Sequence, residues 1–190
     1  MTTPPATGPN LLDVVQAEVS GVLAGIDPSA LSAVADLLDR APRIFVAGEG
    51  RSGFMARAFA MRLVHLGRTA YFVGDTCTPA TRRGDLLVAV SGSGTTAATV
   101  RAAEAVTGGG GAVLAVTTAP ASPLAAGAAH VLHVPAATKH RRDDEAATVQ
   151  PLSSLFDQCA HLVLDCVCLE LARRHGVTDE QAARAHANTE

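Results

Sequence analysis

Tryptophan is absent and tyrosine occurs once, so aromatic side chains make up only 3% of a chain that is 48% hydrophobic. Bulky rings therefore cannot fill the interior. Alanine, valine and leucine must, and small aliphatic side chains suit close packing of helices on a sheet. A surplus of positive charge is also missing. Fifteen basic residues against 18 acidic ones leave a net charge of −3, which excludes a broad nucleic-acid-binding surface. The short runs Arg82-Arg83 and Lys139-His140-Arg141-Arg142 read as solvated loops. No apolar run approaches the ~18 residues needed to cross a bilayer, so no membrane contact is expected. The polar leader over residues 1–9 lacks a basic start followed by an apolar stretch, which reads as disordered and not as a secretory signal. The four cysteines, Cys77, Cys159, Cys166 and Cys168, contain no CxxC pair. They read as reduced core thiols of a cytoplasmic protein, with no metal site.

What the chain does contain is one arrangement twice. The apolar run Ile44-Phe45-Val46-Ala47 leads into Gly48-Glu49-Gly50-Arg51-Ser52-Gly53, and Leu86-Leu87-Val88-Ala89-Val90 leads into Ser91-Gly92-Ser93-Gly94-Thr95-Thr96. Each is a buried-strand pattern, then glycines and hydroxyls, then a helical pattern. Such a turn leaves free backbone N–H groups at the positive end of a helix dipole, where phosphate binds. Two of them point to a phosphorylated small molecule, with serine and threonine hydroxyls as added donors. The first turn taken alone also fits a tight turn capped by Ser52.

Around these turns, residues 10–40 carry apolar groups at helical spacing, broken at Gly25-Ile26-Asp27-Pro28, where Asp27 reads as a cap and Pro28 as a first helical residue. Strands are expected at 43–47, 70–73, 86–90, 112–116 and 130–134. Helices are expected at 53–66, ending at Gly67, at 95–107 and at 153–175. Short strands, apolar on both faces and alternating with helices, predict an α/β fold: a doubly wound five-stranded parallel sheet flanked by helices, preceded by N-terminal helices that are either two or one broken helix. Residues 10–190 read as one such domain. The apolar helices at 10–40 and 153–174 exceed what one sheet can cover, so a homo-oligomer is expected.

Two common nucleotide motifs fail. GEGRSG has the three glycines of a dinucleotide fingerprint in Gly48, Gly50 and Gly53 but lacks its ribose-binding acid at the end of the second strand, and no GxxxxGK[ST] is present. The SGSGxT turn preceded by GxGRSG instead resembles the sugar isomerase (SIS) domain family. Three further stretches narrow the resemblance to its 6-phospho-3-hexuloisomerase branch. They are Ala58-Phe59-Ala60-Met61-Arg62-Leu63-Val64-His65-Leu66-Gly67, Val149-Gln150-Pro151-Leu152-Ser153-Ser154-Leu155-Phe156-Asp157-Gln158, and His186-Ala187-Asn188-Thr189-Glu190.

That resemblance implies interconversion of 3-hexulose 6-phosphate and fructose 6-phosphate through an enediol, as in the ribulose monophosphate pathway. It implies no cofactor, and a homotetramer with sites between subunits. By position it makes Ser52, Ser91, Ser93 and Thr96 phosphate ligands. Gly50, Gly92 and Gly94 then let the backbone approach, and Thr95 caps the next helix or joins the ligands. Arg51 is the nearest fixed cation, suited to neutralising phosphate or polarising a carbonyl. Asp157, standing where this branch carries a glutamate, and His186 are the candidate catalytic acid–base groups. Glu49 is a further carboxylate near the phosphate and is not expected to be a base. His65 reads as a cation at a helix C-terminus, His130 and His133 as packing or loop contacts, and Asp165 as structural. Isomerisation of another phosphorylated ketose, or sugar-phosphate binding without turnover, remain the alternatives.

Overall fold

The computed structural model describes residues 8–143 and 145–188; most of the expected leader, residues 1–7, and Thr189 and Glu190 of the tail pattern lie outside them. Five strands, β1 (Ile44–Gly48), β2 (Ala70–Phe72), β3 (Leu86–Val90), β4 (Ala112–Thr117) and β5 (His130–His133), form one sheet in the order β2-β1-β3-β4-β5. Every pairing is parallel, and Ile44 lies opposite both Ala70 and Leu86. The expected fold class is present, and β3 begins and ends where its apolar run does.

Side-chain alternation along the strands divides the core into two layers. Ile44, Val46, Leu86, Val88, Val90, Leu114 and Val116 face α3 (Gly50–His65) and α6 (Ser154–His175), meeting Phe59, Leu63, Phe156, Val163 and Leu164. On this side α1 (Leu11–Ala24) and α2 (Ser29–Arg40) add Val22, Val34 and Leu38 to the same core. Phe45, Ala47, Leu87, Ala89, Val113 and Ala115 face the other way, onto Ala103 and Val106 of α4 (Ala97–Gly108) and Leu124 of α5 (Pro123–Ala126). The short helix α7 (Asp179–Arg184) follows α6. Its start is a capping box, with Thr178 Oγ1 accepting from the Gln181 N–H and Gln181 answering the Thr178 N–H.

Three details of the expected chain are refined. α2 starts at Ser29, and the Asp27 carboxylate accepts the Ser29 N–H at 2.9 Å and its hydroxyl at 2.6 Å, so Asp27 closes the helix start although Pro28 stands between. Only two of the four cysteines are core thiols. Burial pushes Cys159 up to about 11 and Cys168 to about 12. Cys77, in the loop after β2, and Cys166, on the outer face of α6, are exposed. Among the described residues no single helix is long and apolar enough to cross a membrane.

From β1 the chain winds outward to β2, then returns across β1 to β3 and continues the opposite way. The reversal leaves a crevice beyond the carboxyl ends of β1 and β3, where doubly wound sheets bind ligands. Both Gly/Ser turns open there.

Candidate functional site

The first turn leaves β1 at Gly48 and enters α3 within two residues. Such a short connection brings helix and strand backbones together: a Cβ on Gly53 would lie 2.7 Å from the Gly48 carbonyl oxygen. Only glycine permits that approach. Glu49 is the N-cap residue, in extended conformation, and its side chain forms no capping bond. The first N–H groups of α3 therefore face the crevice without a side-chain partner.

In the second turn, Gly94 has φ +63° and packs so closely that any side chain there would overlap Ser122. Ser93 Oγ accepts the Thr95 N–H at 3.2 Å and the Thr95 hydroxyl at 2.9 Å. Ser91 is 2% exposed, and its Oγ is 2.9 Å from Thr96 Oγ1. Thr96 is the N-cap residue of α4, again without a side-chain capping bond. Its hydroxyl is held in place by Ser91.

α6 supplies the third component. Phe156 in its first turn packs beneath the second Gly/Ser turn, since a Cβ on Gly92 would meet its ring at 3.0 Å. The next residue, Asp157, is 2% exposed and reaches the first turn. Its Oδ1 accepts the Ser52 hydroxyl at 2.9 Å and its Oδ2 accepts Arg51 Nε at 3.1 Å. Burial pushes the Asp157 carboxyl above the usual carboxylate range, and the Ser52 and Arg51 bonds only partly offset that. The Arg51 side chain remains 60% exposed, so its charge is shared with solvent and compensates poorly.

These elements enclose a cleft of about 400 Å³ lined by Glu49, Gly50, Arg51, Ser52, Gly92, Ser93, Thr96 and Asp157. Its remaining wall is one that the sequence had suggested was solvated loop: Lys139 and His140, with Leu152 and Ser153 just before α6. The Lys139 N–H donates to Ser153 Oγ at 3.1 Å, joining the two segments. Leu152 has φ +53°, a strained conformation for a branched aliphatic residue of the kind that clusters at ligand sites. Nothing in the periodicity of residues 136–150 marks this wall, because tertiary hydrogen bonds hold it and not an apolar face.

Of the expected site residues, Gly50, Arg51, Ser52, Gly92, Ser93, Thr96 and Asp157 line one cleft, with two kinds of exception. Ser91 and Gly94 lie behind the lining and shape the turn, while Thr95 opens onto a neighbouring cleft with Thr118, Ser122 and Arg142. His186 stands at the other end of α3, its ring 5.1 Å from that of His65. A 16-residue helix separates the two places by about 24 Å. His65 is itself buried at 7% exposure, and desolvation, then Arg62 and His186, lower its pKa. It is therefore held neutral and is not the helix-end cation expected. Asp165 pairs with His161 at 3.5 Å, and His133 contacts the Thr118 carbonyl at 3.2 Å.

Residues 37–164 match the model of the SIS domain. A 3-hexulose-6-phosphate isomerase of Mycobacterium gastri is 41% identical over 95% of this chain and 90% of its own. A second, from Bacillus subtilis, is 36% identical over 83% of this chain and 85% of its own. Among solved structures, a Methanococcus jannaschii protein for which 3-hexulose-6-phosphate isomerase function was inferred superposes with a TM-score of 0.81. It is 27% identical and covers 95% of this chain and 99% of that one.

Proposed function

The chain belongs to the SIS domain family, and from that premise we propose that it is an isomerase interconverting 3-hexulose 6-phosphate and fructose 6-phosphate. The observation that carries this reading is Asp157: a buried carboxylate of raised pKa beside two phosphate-type turns in a single cleft. Ser52, Ser93 and Thr96 hydroxyls, with the N–H groups of the two helix starts, hold the phosphate. That grip fixes the sugar so that C2 and C3 lie against Asp157, converting remote binding into orientation.

Asp157 removes the proton from C2, the C3 carbonyl becomes an enediol oxygen, and a proton returned to C3 leaves the carbonyl at C2. A base of raised pKa is matched to this exchange near neutral pH. Arg51, already against the carboxylate, is placed to stabilise negative charge developing on the enediol oxygens.

His186 serves the cleft of a neighbouring subunit, because its own lies a helix length away. Phe54, Met61 and Val64 on α3 and Leu162 and Leu169 on α6 are exposed apolar side chains, which supports burial between copies in a homotetramer. The activity belongs to cytoplasmic formaldehyde assimilation by the ribulose monophosphate pathway. The test is a coupled assay in which 3-hexulose 6-phosphate is generated in situ and fructose 6-phosphate is detected by its onward conversion. Turnover that is lost in Ser93→Ala/Thr96→Val is the expected result. No turnover, with thermal stabilisation by fructose 6-phosphate, would instead establish a binding module.

A further inference from the structure

The chain carries 15 cationic side chains, and only one of them, Lys139, is a lysine; the other fourteen are arginines. That one lysine lines the cleft, opposite the Gly/Ser turns. Its backbone is held from both directions. Thr138, fully buried, gives its N–H and its hydroxyl to the Glu145 carboxylate at 2.8 and 2.6 Å, and Glu145 also pairs with Arg142 at 3.1 Å. The Lys139 N–H is fixed on Ser153 Oγ, and the Arg141 guanidinium donates to the Gln150 carbonyl. The loop is thus a clamped support, while the exposed Lys139 ammonium forms no hydrogen bond or ion pair among the described residues.

The charges of the cleft give that ammonium a task. Its lining acids are Glu49 and Asp157, and its lining lysine and arginine are Lys139 and Arg51. Arg51 is engaged by Asp157. A phosphate monoester entering the cleft brings up to two negative charges, yet apart from Arg51, already paired with Asp157, the turns offer it neutral hydroxyls and amides. Of the acids on Lys139's own loop, Glu145 is already committed to Thr138 and Arg142. We infer that Lys139 is the cation that binds the substrate phosphate, closing on it across the cleft from Ser52, Ser93 and Thr96. A compact ammonium on a flexible stem suits this better than a guanidinium, since it binds phosphate as a point charge from variable directions. The inference rests on reading the cleft as a sugar-phosphate site.

The single lysine makes the test direct. The full-length protein is treated with an amine-directed acetylating reagent and Lys139 modification is followed by mass spectrometry, alone or with fructose 6-phosphate, inorganic phosphate or fructose. Protection by the two phosphates and not by fructose is expected, and equal modification in all four samples overturns the assignment. In the isomerase assay, Lys139→Met raises KM about 10- to 100-fold with kcat within a few fold of wild type, and Lys139→Arg recovers part of the loss. An unchanged KM, or a fall in kcat alone, overturns the phosphate role. Protection by phosphates in a protein that does not isomerise 3-hexulose 6-phosphate leaves the Lys139 assignment standing and removes the isomerase. Turnover without protection and without a KM effect does the reverse.

Discussion

Asp85 and Asp157 lie at opposite ends of the strands, Asp85 at the amino end of β3 and Asp157 on α6 beyond the carboxyl ends; they are 0% and 2% exposed, and each is paired with an arginine. Their carboxyls nevertheless shift in opposite directions. Asp85, just before β3, suffers desolvation as its largest single influence, but Arg43 and the Arg82 N–H outweigh it and lower its pKa. Arg43 approaches with two nitrogens, Nε at 3.0 Å and Nη2 on the second oxygen, and the Arg82 N–H adds a bond of 2.7 Å. Asp157 has only the Ser52 hydroxyl and one nitrogen of a largely exposed Arg51, and for it desolvation wins. The end with a fully answered carboxylate ties the starts of β1 and β3 together. The end with an under-answered one leaves a carboxyl whose protonated form is favoured.

Asp157→Asn separates the two ends most sharply. Turnover is expected to fall about 100- to 10,000-fold, the usual contribution of a general base. Stability is not expected to fall with it. Because the folded-state pKa is raised, ionised Asp157 costs stability as pH rises through that value. At neutral pH the uncharged variant should therefore unfold at or above the wild-type temperature. A marked loss of thermal stability would make Asp157 structural, like Asp85. The same raised pKa places the acid limb of kcat above the ordinary aspartate range, and the pH–rate profile checks this.

Asp85→Asn should do the converse, costing about 3 kcal/mol of stability while leaving kcat unchanged in the folded enzyme. Its folded pKa is depressed, so its contribution is full above the ordinary aspartate value and lost as pH falls through the lowered one. Urea unfolding at neutral and acid pH should show the gap to wild type closing in acid. A gap independent of pH would mean that packing, not charge, is what the variant disturbs.

A smaller effect, about 100-fold on turnover, is expected for His186→Ala, with no change in stability because the residue is exposed. Mixing this variant with Asp157→Asn after partial denaturation and refolding should restore activity, since some clefts then receive Asp157 from one subunit and His186 from another. Mixtures no more active than their parents would contradict shared sites. The smallest effect is on the thiols. Cys77 should react with a thiol reagent in the native protein without loss of activity, and Cys159 and Cys168 only after unfolding, as mass spectrometry would show.

Apolar runs ending in glycine and hydroxyl residues placed β1, β3 and both turns, because strand burial and helix-start geometry are local properties. Asp157 and Ser52 were visible as candidates through the family resemblance, yet their bond spans 105 positions and only folding shows it. The Lys139–His140 wall carried no periodicity, since Glu145 and Ser153 position it through hydrogen bonds from seven and 14 residues further along the chain; its one sequence signal was the solitary lysine. His65 was misread as charged because helix position is legible in sequence and burial at 7% exposure is not.

The most direct test of the central claim is solvent exchange. 3-Hexulose 6-phosphate is incubated in D2O with wild type and with Asp157→Asn, and the sugar is examined by NMR. Proton transfer through an enediol predicts fructose 6-phosphate carrying deuterium at C3 with the wild type and at most a trace with the variant. Unlabelled, unconverted sugar with both proteins, in the presence of measurable fructose 6-phosphate binding, would contradict it.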